Sequence, residues 1–590
     1  MGRPSPNRDR RQRIAVWHNN NPEATPSAPV ASTKDVLRVM ALGGLEEVGR
    51  NSMILEYGND IIIIDLGLQF PEEDMPGIDY VVPNISYLRG KEQNIRGVII
   101  THAHYDHIGG IPHLIGQLGN PTIYGTPLTL GIIKKRETDF RNAPLKTQTI
   151  DSTERIQLGT FMVEFFGVTH NVPGSVGVII HTPVGIIVHT GDFKIDLSIT
   201  NERESIHIGK VAKLHDEGVL LLMADSTNAT QTGHQIEEVE IQRNIDELIR
   251  NAQGRIFMAT FASLLGRLQQ IINAAERMGR KVALDGYSLR TNVAIAQELG
   301  YMQIGKGTLI TTEEVHDYPD EKILILCTGA QGEDRAVLNR LVNGEHRLLR
   351  LQPQDTVVFS SSVVPGNERS VQKLKDALYR FGCEVIHYQM MDVHAGGHAK
   401  QEDLKLMYRL VNPKYHMPIE GNHSFLKVHA KLIERLGHPK ERIFVPDNGQ
   451  VVTFRRMGNE VIGEVTQERV PTDYVMVDGL GVGDVGQVVL RDRQLLAEDG
   501  MVVIIATVEG KTGRLVGSPD IISRGFIHMK ENKEMVEKLR SKIRKILIDN
   551  EPRMAADDDE IRNKLRNDIG QFLFTITERR PMILPVIIKV

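Results

Sequence analysis

The stretch Thr101-His102-Ala103-His104-Tyr105-Asp106-His107-Ile108-Gly109-Gly110 gathers three imidazoles and a carboxylate within six residues. Imidazole nitrogen together with carboxylate oxygen suits zinc or another borderline divalent ion. The apolar run Gly97-Val98-Ile99-Ile100 just before it predicts a buried strand, so the cluster falls in the loop that ends that strand. Two later positions share this setting. Val168-Thr169-His170-Asn171 carries a histidine just past a strand, and His189-Thr190-Gly191-Asp192-Phe193 carries a carboxylate past another. His102, His104 and His170 can hold one ion, and Asp106 and His107 a second. Asp192 can bridge both, because a carboxylate has two oxygens. Two ions about 3.5–4 Å apart can share a hydroxide nucleophile and stabilise an in-line displacement at phosphorus. Asp65, at the end of the run Ile61-Ile62-Ile63-Ile64, is expected to orient a ligand histidine through its other ring nitrogen.

These residues need strands to hold them. Residues 37–44 and 52–57 read as paired strands, and 163–168, 176–181 and 185–189 as further short ones bounded by Gly, Pro and Asn. Their close spacing predicts two sheets instead of one doubly wound sheet. From about Glu237 the pattern changes to alternation. Helices are expected at 238–251, 264–278, 291–299, 333–341 and 368–380, and strands at 255–259, 282–284, 322–327, 356–360 and 384–387. That rhythm predicts a mostly parallel, helix-covered sheet. After about Gly397 a helix (401–410) and a strand (415–419) resume the pattern that preceded the alternation, so one domain is inserted into another. A linker is expected over 466–474. The remainder, with strands at 501–508 and 583–590 and amphipathic helices at 533–548 and about 559–577, suffices for a small α/β domain. The acidic run 557–560 most simply opens the last helix, where negative charge suits the dipole.

At 590 residues the chain is too long for one core. With 41% hydrophobic and 25% charged residues it has an ordinary globular composition. A net charge of −5 announces no basic field, so any nucleic-acid site must be a local channel. Cys327 and Cys383 are the sole cysteines, which argues against a disulfide framework and cysteine zinc sites and fits a reducing cytoplasm. No apolar stretch approaches the roughly 18–20 residues of a membrane span, and the N-terminus lacks a signal-peptide core. A cytoplasmic protein without a membrane partner is expected. Residues 1–34 read as a disordered basic tail: a solvated segment, or an arm adding salt-sensitive affinity for RNA.

The H-x-H-x-D-H pattern with its later His and Asp resembles the metallo-β-lactamase fold, which implies an αββα sandwich with metals at strand ends. That fold hosts many hydrolases and does not by itself give function. The inserted segment narrows the choice, since Asp225 in Met223-Ala224-Asp225-Ser226 and His398 in His394-Ala395-Gly396-Gly397-His398 are similar to motifs of the β-CASP nucleases. The chain from about residue 36 onward resembles the bacterial ribonuclease J family. The likeness includes residues 43–51, 325–329, 365–368, 478–486 and 522–526. The domains this implies are a metallo-β-lactamase domain in two parts (35–236 and 397–465), a β-CASP domain (237–396) and a C-terminal α/β domain (475–590).

The resemblance implies a metal-dependent exo- and endoribonuclease acting 5′-to-3′ on single-stranded RNA with a 5′-monophosphate, in RNA maturation and decay. Its cofactors would be two divalent ions per subunit, zinc first, with Mn²⁺ or Mg²⁺ as alternatives. Asp106 would serve at the catalytic ions and His398 would protonate the departing 3′-oxygen, with Asp225 orienting His398 or holding the local network. The plainer reading of His398 is a helix cap or a metal ligand. Phe261, Ala262 and Ser263 and residues His394, Ala395, Gly396, Gly397 and His398 match substrate-contacting segments. Leu264 and Gly266 depart from the Asn and His usual there. Glu420 stands where the family has its last His ligand. Its carboxylate can ligate a metal, or His423 can reach in instead. Gly77, Asp79 and Asp478 match a structural divalent site holding Ca²⁺ or Mn²⁺. Homodimers or homotetramers are expected, with RNA-decay or ribosome-associated proteins as further partners. The competing readings are a small-molecule metallohydrolase, a weakly active paralogue supporting an active subunit, and a DNA-directed nuclease.

Overall fold

The computed structural model describes residues 35–590 except 73, 141, 200, 202–203, 334, 365–366, 480, 511, 513, 528–531 and 550–557. The basic tail 1–34 lies outside the described residues, as do Pro365, Gly366 and Leu480 of the motifs above.

Strand Asp60–Ile64 shows how the layers arise. Ile61 and Ile63 enter one apolar core while Ile62 and Ile64 enter another, as the two-residue period of a strand dictates. A strand apolar on both faces must be covered on both. It lies inside an eight-stranded sheet, between Ser52–Tyr57 and Ile95–Ile99. In a second, six-stranded sheet, Val163, Phe165, Val178 and Ile180 face the same core as Ile62, whereas Phe166 and Ile179 face the helices beyond. Two stacked sheets between helical layers make the αββα sandwich that the sequence implies.

The sandwich is closed by chain from beyond the insertion. Tyr415–Ile419 joins the six-stranded sheet parallel to Val219–Asp225, and Gln450–Met457 pairs antiparallel with Val36–Gly43. Between these returns lies a six-stranded sheet in which every neighbouring pair is parallel, from Ile256–Ala259 to Glu384–His387. Its helices cover both faces, with Ile241 and Leu268 on one side and Leu338 and Leu374 on the other. The core on the first side runs without a break into the sandwich's outer helices, joining Leu128 and Ile132 to Ile256 and Leu268.

Several expected bounds move. The helix expected at 333–341 begins at Val337, because Ala336 is extended and the preceding segment turns at Gly329 and Gly332, both at positive φ. The first four residues of the expected 466–474 linker finish the strand Glu460–Arg469, where Glu468 pairs with Arg38 at 2.7 Å. Strand Val475–Asp478 then pairs with Tyr80–Val82, so the chain docks on the first domain before the C-terminal sheet begins. That sheet (Asp520–Arg524, Met501–Val508, Met582–Lys589) packs on helices Lys533–Ile548 and Asp558–Thr577. Helix Gln487–Asp499 was not expected from the sequence, since it buries Leu490 alone and leaves Val488 exposed.

The residues named for a structural cation lie together. Arg493 donates to the Gly77 carbonyl at 3.0 Å and pairs with the Asp478 carboxylate. Asp79 accepts the Gly479 N–H at 2.8 Å.

Candidate metal centre

The functional residues stand at carboxyl ends of parallel strands. Asp65 follows Asp60–Ile64 and His102 follows Ile95–Ile99, strands paired through Ile64 and Ile99. Gly185–His189, Val219–Asp225 and Tyr415–Ile419 lie side by side and in parallel, so Asp192, Asp225 and Glu420 emerge together. The two sheets thus deliver their ligands to one edge of the sandwich. The approach is tight at Gly67, where a β-carbon would overlap the Asp106 carbonyl.

Hydrogen bonds fix which ring nitrogens are free. Asp65 accepts from the Thr101 N–H (2.8 Å), the Thr101 hydroxyl (2.8 Å) and His107 Nδ1 (2.7 Å). With its proton given to Asp65, the Thr101 hydroxyl accepts from His102 Nδ1 at 3.0 Å. His170 Nδ1 donates to the Gly397 carbonyl at 2.8 Å. The lone pairs therefore sit on the Nε2 atoms of His102 and His170, while His107, held at Nδ1 by Asp65, turns its Nε2 toward the ligand carboxylates. His102 Nε2 and His170 Nε2 converge on His104 Nδ1 at 3.0 and 3.1 Å. Burial, together with neighbouring histidines, lowers the basicity of all three rings. Three buried nitrogen lone pairs facing one point are the donor set of a cation.

Asp192 joins this cluster to a second. Its Oδ2 is 3.5 Å from His102 Nε2 and 3.7 Å from His170 Nε2, while its Oδ1 is 3.4 Å from His107 Nε2. Asp106 Oδ2 approaches His107 Nε2 at 3.6 Å. His102, His104, His170 and Asp192 form one set of converging ligand atoms, and Asp106, His107 and Asp192 another. Burial opposes the charge on Asp192, yet His107 and His398 hold its carboxyl well below the usual range.

His398 closes the centre from the inserted domain's side. Its Nδ1 is 2.9 Å from Asp225 Oδ2 and 3.8 Å from Asp192 Oδ2. Burial works against its positive charge, but the Asp225 and Asp192 carboxylates raise its pKa to about 9. Asp225 is itself held by the Thr227 N–H at 2.8 Å. Gly397 must be glycine, since a β-carbon there would strike the His170 ring.

Glu420 sits in the left-handed region (φ 57°), with its carboxyl enclosed and Oε2 lacking a hydrogen-bond partner among the described residues. Burial, and then the Asp192 charge, push its carboxyl well above the usual range. An orphaned buried carboxylate oxygen fits a cation's neighbourhood. Glu420 shares a convergent set with Asp65 and His107, but none with Asp106 among the described residues. His423 points elsewhere, with Nδ1 3.1 Å from Glu46. Phe261, Ala262 and Ser263 follow the strand Ile256–Ala259 in the inserted sheet, and the Asn292 amide donates to the Ala262 carbonyl at 2.9 Å. His394 lies beside Arg267; burial and that guanidinium push its pKa down to about 3.

Two contacts were not anticipated. The Asn51 amide donates to His107 Nε2 at 2.9 Å. His189, buried beside Glu420 with Nε2 3.9 Å from Oε1, accepts the Gly191 N–H on Nδ1 at 3.0 Å. Asn51 ends the glycine-rich stretch at 43–51, which was the available signal. His189 had none, being one histidine at a strand end.

The sandwich, the inserted parallel sheet and the dinuclear ligand pattern define a metallo-β-lactamase-fold protein of the β-CASP type. Residues 45–230 match the metallo-beta-lactamase superfamily, 253–378 the ribonuclease J beta-CASP domain, and 488–590 the ribonuclease J C-terminal domain. The chain belongs to the ribonuclease J family. Ribonuclease J 1 of Streptococcus pyogenes is 40% identical over 557 residues, 93% of this chain and 97% of the relative. Ribonuclease J of Thermus thermophilus is 39% identical over 94% of this chain and 96% of its own. Ribonuclease J2 of Bacillus subtilis is 37% identical over 94% of this chain and 99% of its own. A solved Enterococcus faecalis protein of unknown function shares the fold, with a TM-score of 0.53 and 19% identity over 71% of this chain and 100% of that one.

Proposed function

We infer that the chain is a metal-dependent ribonuclease that hydrolyses phosphodiester bonds, removing nucleotides 5′-to-3′ from RNA with a 5′-monophosphate and also cutting internally. The observation that carries this reading is the Asp192 carboxylate, whose two oxygens face two separate ligand sets, one of three histidines and one of His107 with Asp106. Divalent ions bound there supply the positive charge that polarises the phosphate and acidifies a water.

The side chains do the rest. Asp65 and Thr101 hold His102 and His107 by their Nδ1 atoms and so aim the Nε2 atoms at the centre. His398, charged at neutral pH, gives its proton to the departing 3′-oxygen, and Asp225 keeps it charged and oriented. A 5′-phosphate would be cradled at the carboxyl ends of the inserted sheet by backbone amides of Phe261, Ala262 and Ser263 and of residues 394–398. Leu264 and Gly266 offer no polar side chain, so that cradle depends on main-chain donors. Where a bound cation displaces its proton, Glu420 would add negative charge near the second ion and shift preference from Zn²⁺ toward the harder Mn²⁺ or Mg²⁺. The C-terminal sheet exposes Ile522, Leu584, Val586 and Ile588 on one face, which supports self-association.

The test compares RNAs of one sequence carrying a 5′-monophosphate or a 5′-triphosphate, each with Mn²⁺, Mg²⁺ or Zn²⁺. Faster release of mononucleotides from the monophosphate is expected. Absence of cleavage with every ion, in protein that also binds none of them, overturns the reading.

A further inference from the structure

The centre reaches solvent past Asp106, on the side away from His398 and Gly397, while the rings of His102 and His107 are fully buried. Asp106 has a side chain 37% exposed. Beyond it, Tyr105, placed between two ligand residues, turns its ring to solvent, and the Arg136 guanidinium lies 4.2 Å over that ring. The same guanidinium is 5.9 Å from the Tyr80 ring, which neighbours Phe70 at 6.1 Å. Phe70 is 64% exposed, a large apolar ring left in water on the rim of the site. Arg136 Nε has no hydrogen-bond partner among the described residues, and the residue stands in the last turn of helix Pro127–Glu137.

Ring faces interleaved with cations suit a single-stranded nucleic acid, whose bases stack and whose phosphates need positive charge. We propose that Phe70, Tyr80, Tyr105 and Arg136 form a stacking platform for the RNA strand on the 3′ side of the cleaved bond. The polarity follows from His398. If His398 protonates the leaving 3′-oxygen, the nucleotide being released lies on its side of the centre. The 5′-phosphorylated remainder then leaves past Asp106, directly onto Tyr105. In a 5′-to-3′ exonuclease that remainder is the next substrate, so the platform makes successive cuts possible without release. Continuity with the metal loop and a guanidinium laid against ring faces favour RNA over an apolar protein partner.

The inference rests on the ribonuclease reading, and the experiment separates the two. Wild type, Phe70→Ala, Phe70→Trp and Arg136→Ala are compared on a long 5′-monophosphorylated oligoadenylate and on a dinucleotide, with excess unlabelled RNA added as a trap after the first cut. Phe70→Ala and Arg136→Ala should each lower the ratio of kcat/KM for long over short RNA by about tenfold, the size of one lost stack. Both should turn complete digestion into a ladder of released intermediates, and Phe70→Trp should restore processivity. Unfolding midpoints and bound-metal content equal to wild type exclude a folding defect. An unchanged ratio and unchanged processivity overturn the platform. So does a change confined to oligomeric state, which would assign the surface to a second copy of the chain. Failure of wild type to cut either RNA instead defeats the ribonuclease reading.

Discussion

At the scale of single residues, the centre depends on protons placed one atom at a time. Asp65 takes three hydrogen bonds while held at φ 61°, a conformation a non-glycine residue adopts only under constraint. Asp65→Asn should therefore cost about 10–100-fold in metal affinity, read by titration with a chelating dye. His104→Ala should remove metal-dependent cleavage, with a matching fall in metal per chain by elemental analysis. His398→Ala should lower kcat by about 10²–10⁴-fold. Asp225→Asn takes away the nearer of the two carboxylates that hold His398 charged, so the alkaline limb of the pH–rate profile should move to lower pH. Glu420→His should keep or raise activity if Glu420 is a ligand, and shift the preferred ion toward Zn²⁺. The opening cluster was legible in the sequence because its ligands are near neighbours at a strand end. The contact of Arg493 with Gly77 was not, since a lone arginine in the sequence gives no sign of the distant loop it will reach.

At the scale of elements, alternation was the most readable signal. Ile61 to Ile64, apolar at every position, had to be buried on both faces, and the parallel strands of the insertion announced themselves by intervening helices. What stayed hidden were pairings between distant segments, such as Val475–Asp478 on Tyr80–Val82, because three or four residues carry no periodicity of their own. The strand Tyr415–Ile419 and helix His423–Arg435 also bury an unusual load: His416 has no hydrogen-bond partner on either ring nitrogen and lies against His429. Burial lowers the pKa of His416, and brings His429 to about 3. In the unfolded chain these rings bind protons near pH 6.5, so the folded state binds fewer below that value. Stability is therefore complete above about pH 6.5 and lost as pH falls toward about 3. Urea midpoints measured across this range should decline steeply, and His416→Leu should flatten the decline.

At the scale of the whole molecule, the ribonuclease is assembled from segments far apart in the chain. The C-terminal sheet is tied back through Arg493 and the Val475–Asp478 strand. Arg493→Ala should leave the catalytic core folded but speed proteolysis between residues 466 and 482, read by limited digestion. A charge placed on the exposed face, Val586→Glu, should shift any dimer or tetramer toward monomer in sedimentation. The domain pattern was legible because each domain has its own rhythm of elements. The core shared by sandwich and insertion was not, since nothing in a helix's sequence says which of two domains will cover it.

The ligand sets draw on both sides of the insertion, with Asp192 before it and His398 and Glu420 after. The strand Gln450–Met457 must also arrive to pair with Val36–Gly43. During synthesis, then, a growing chain carries most of the metal-binding side chains long before it carries the proton donor or the closing strand. The message being translated lies within reach of its own product throughout that time. A nascent chain that ends before these segments therefore holds no complete centre and should cut no RNA, a state that lasts until the last sandwich strands have emerged.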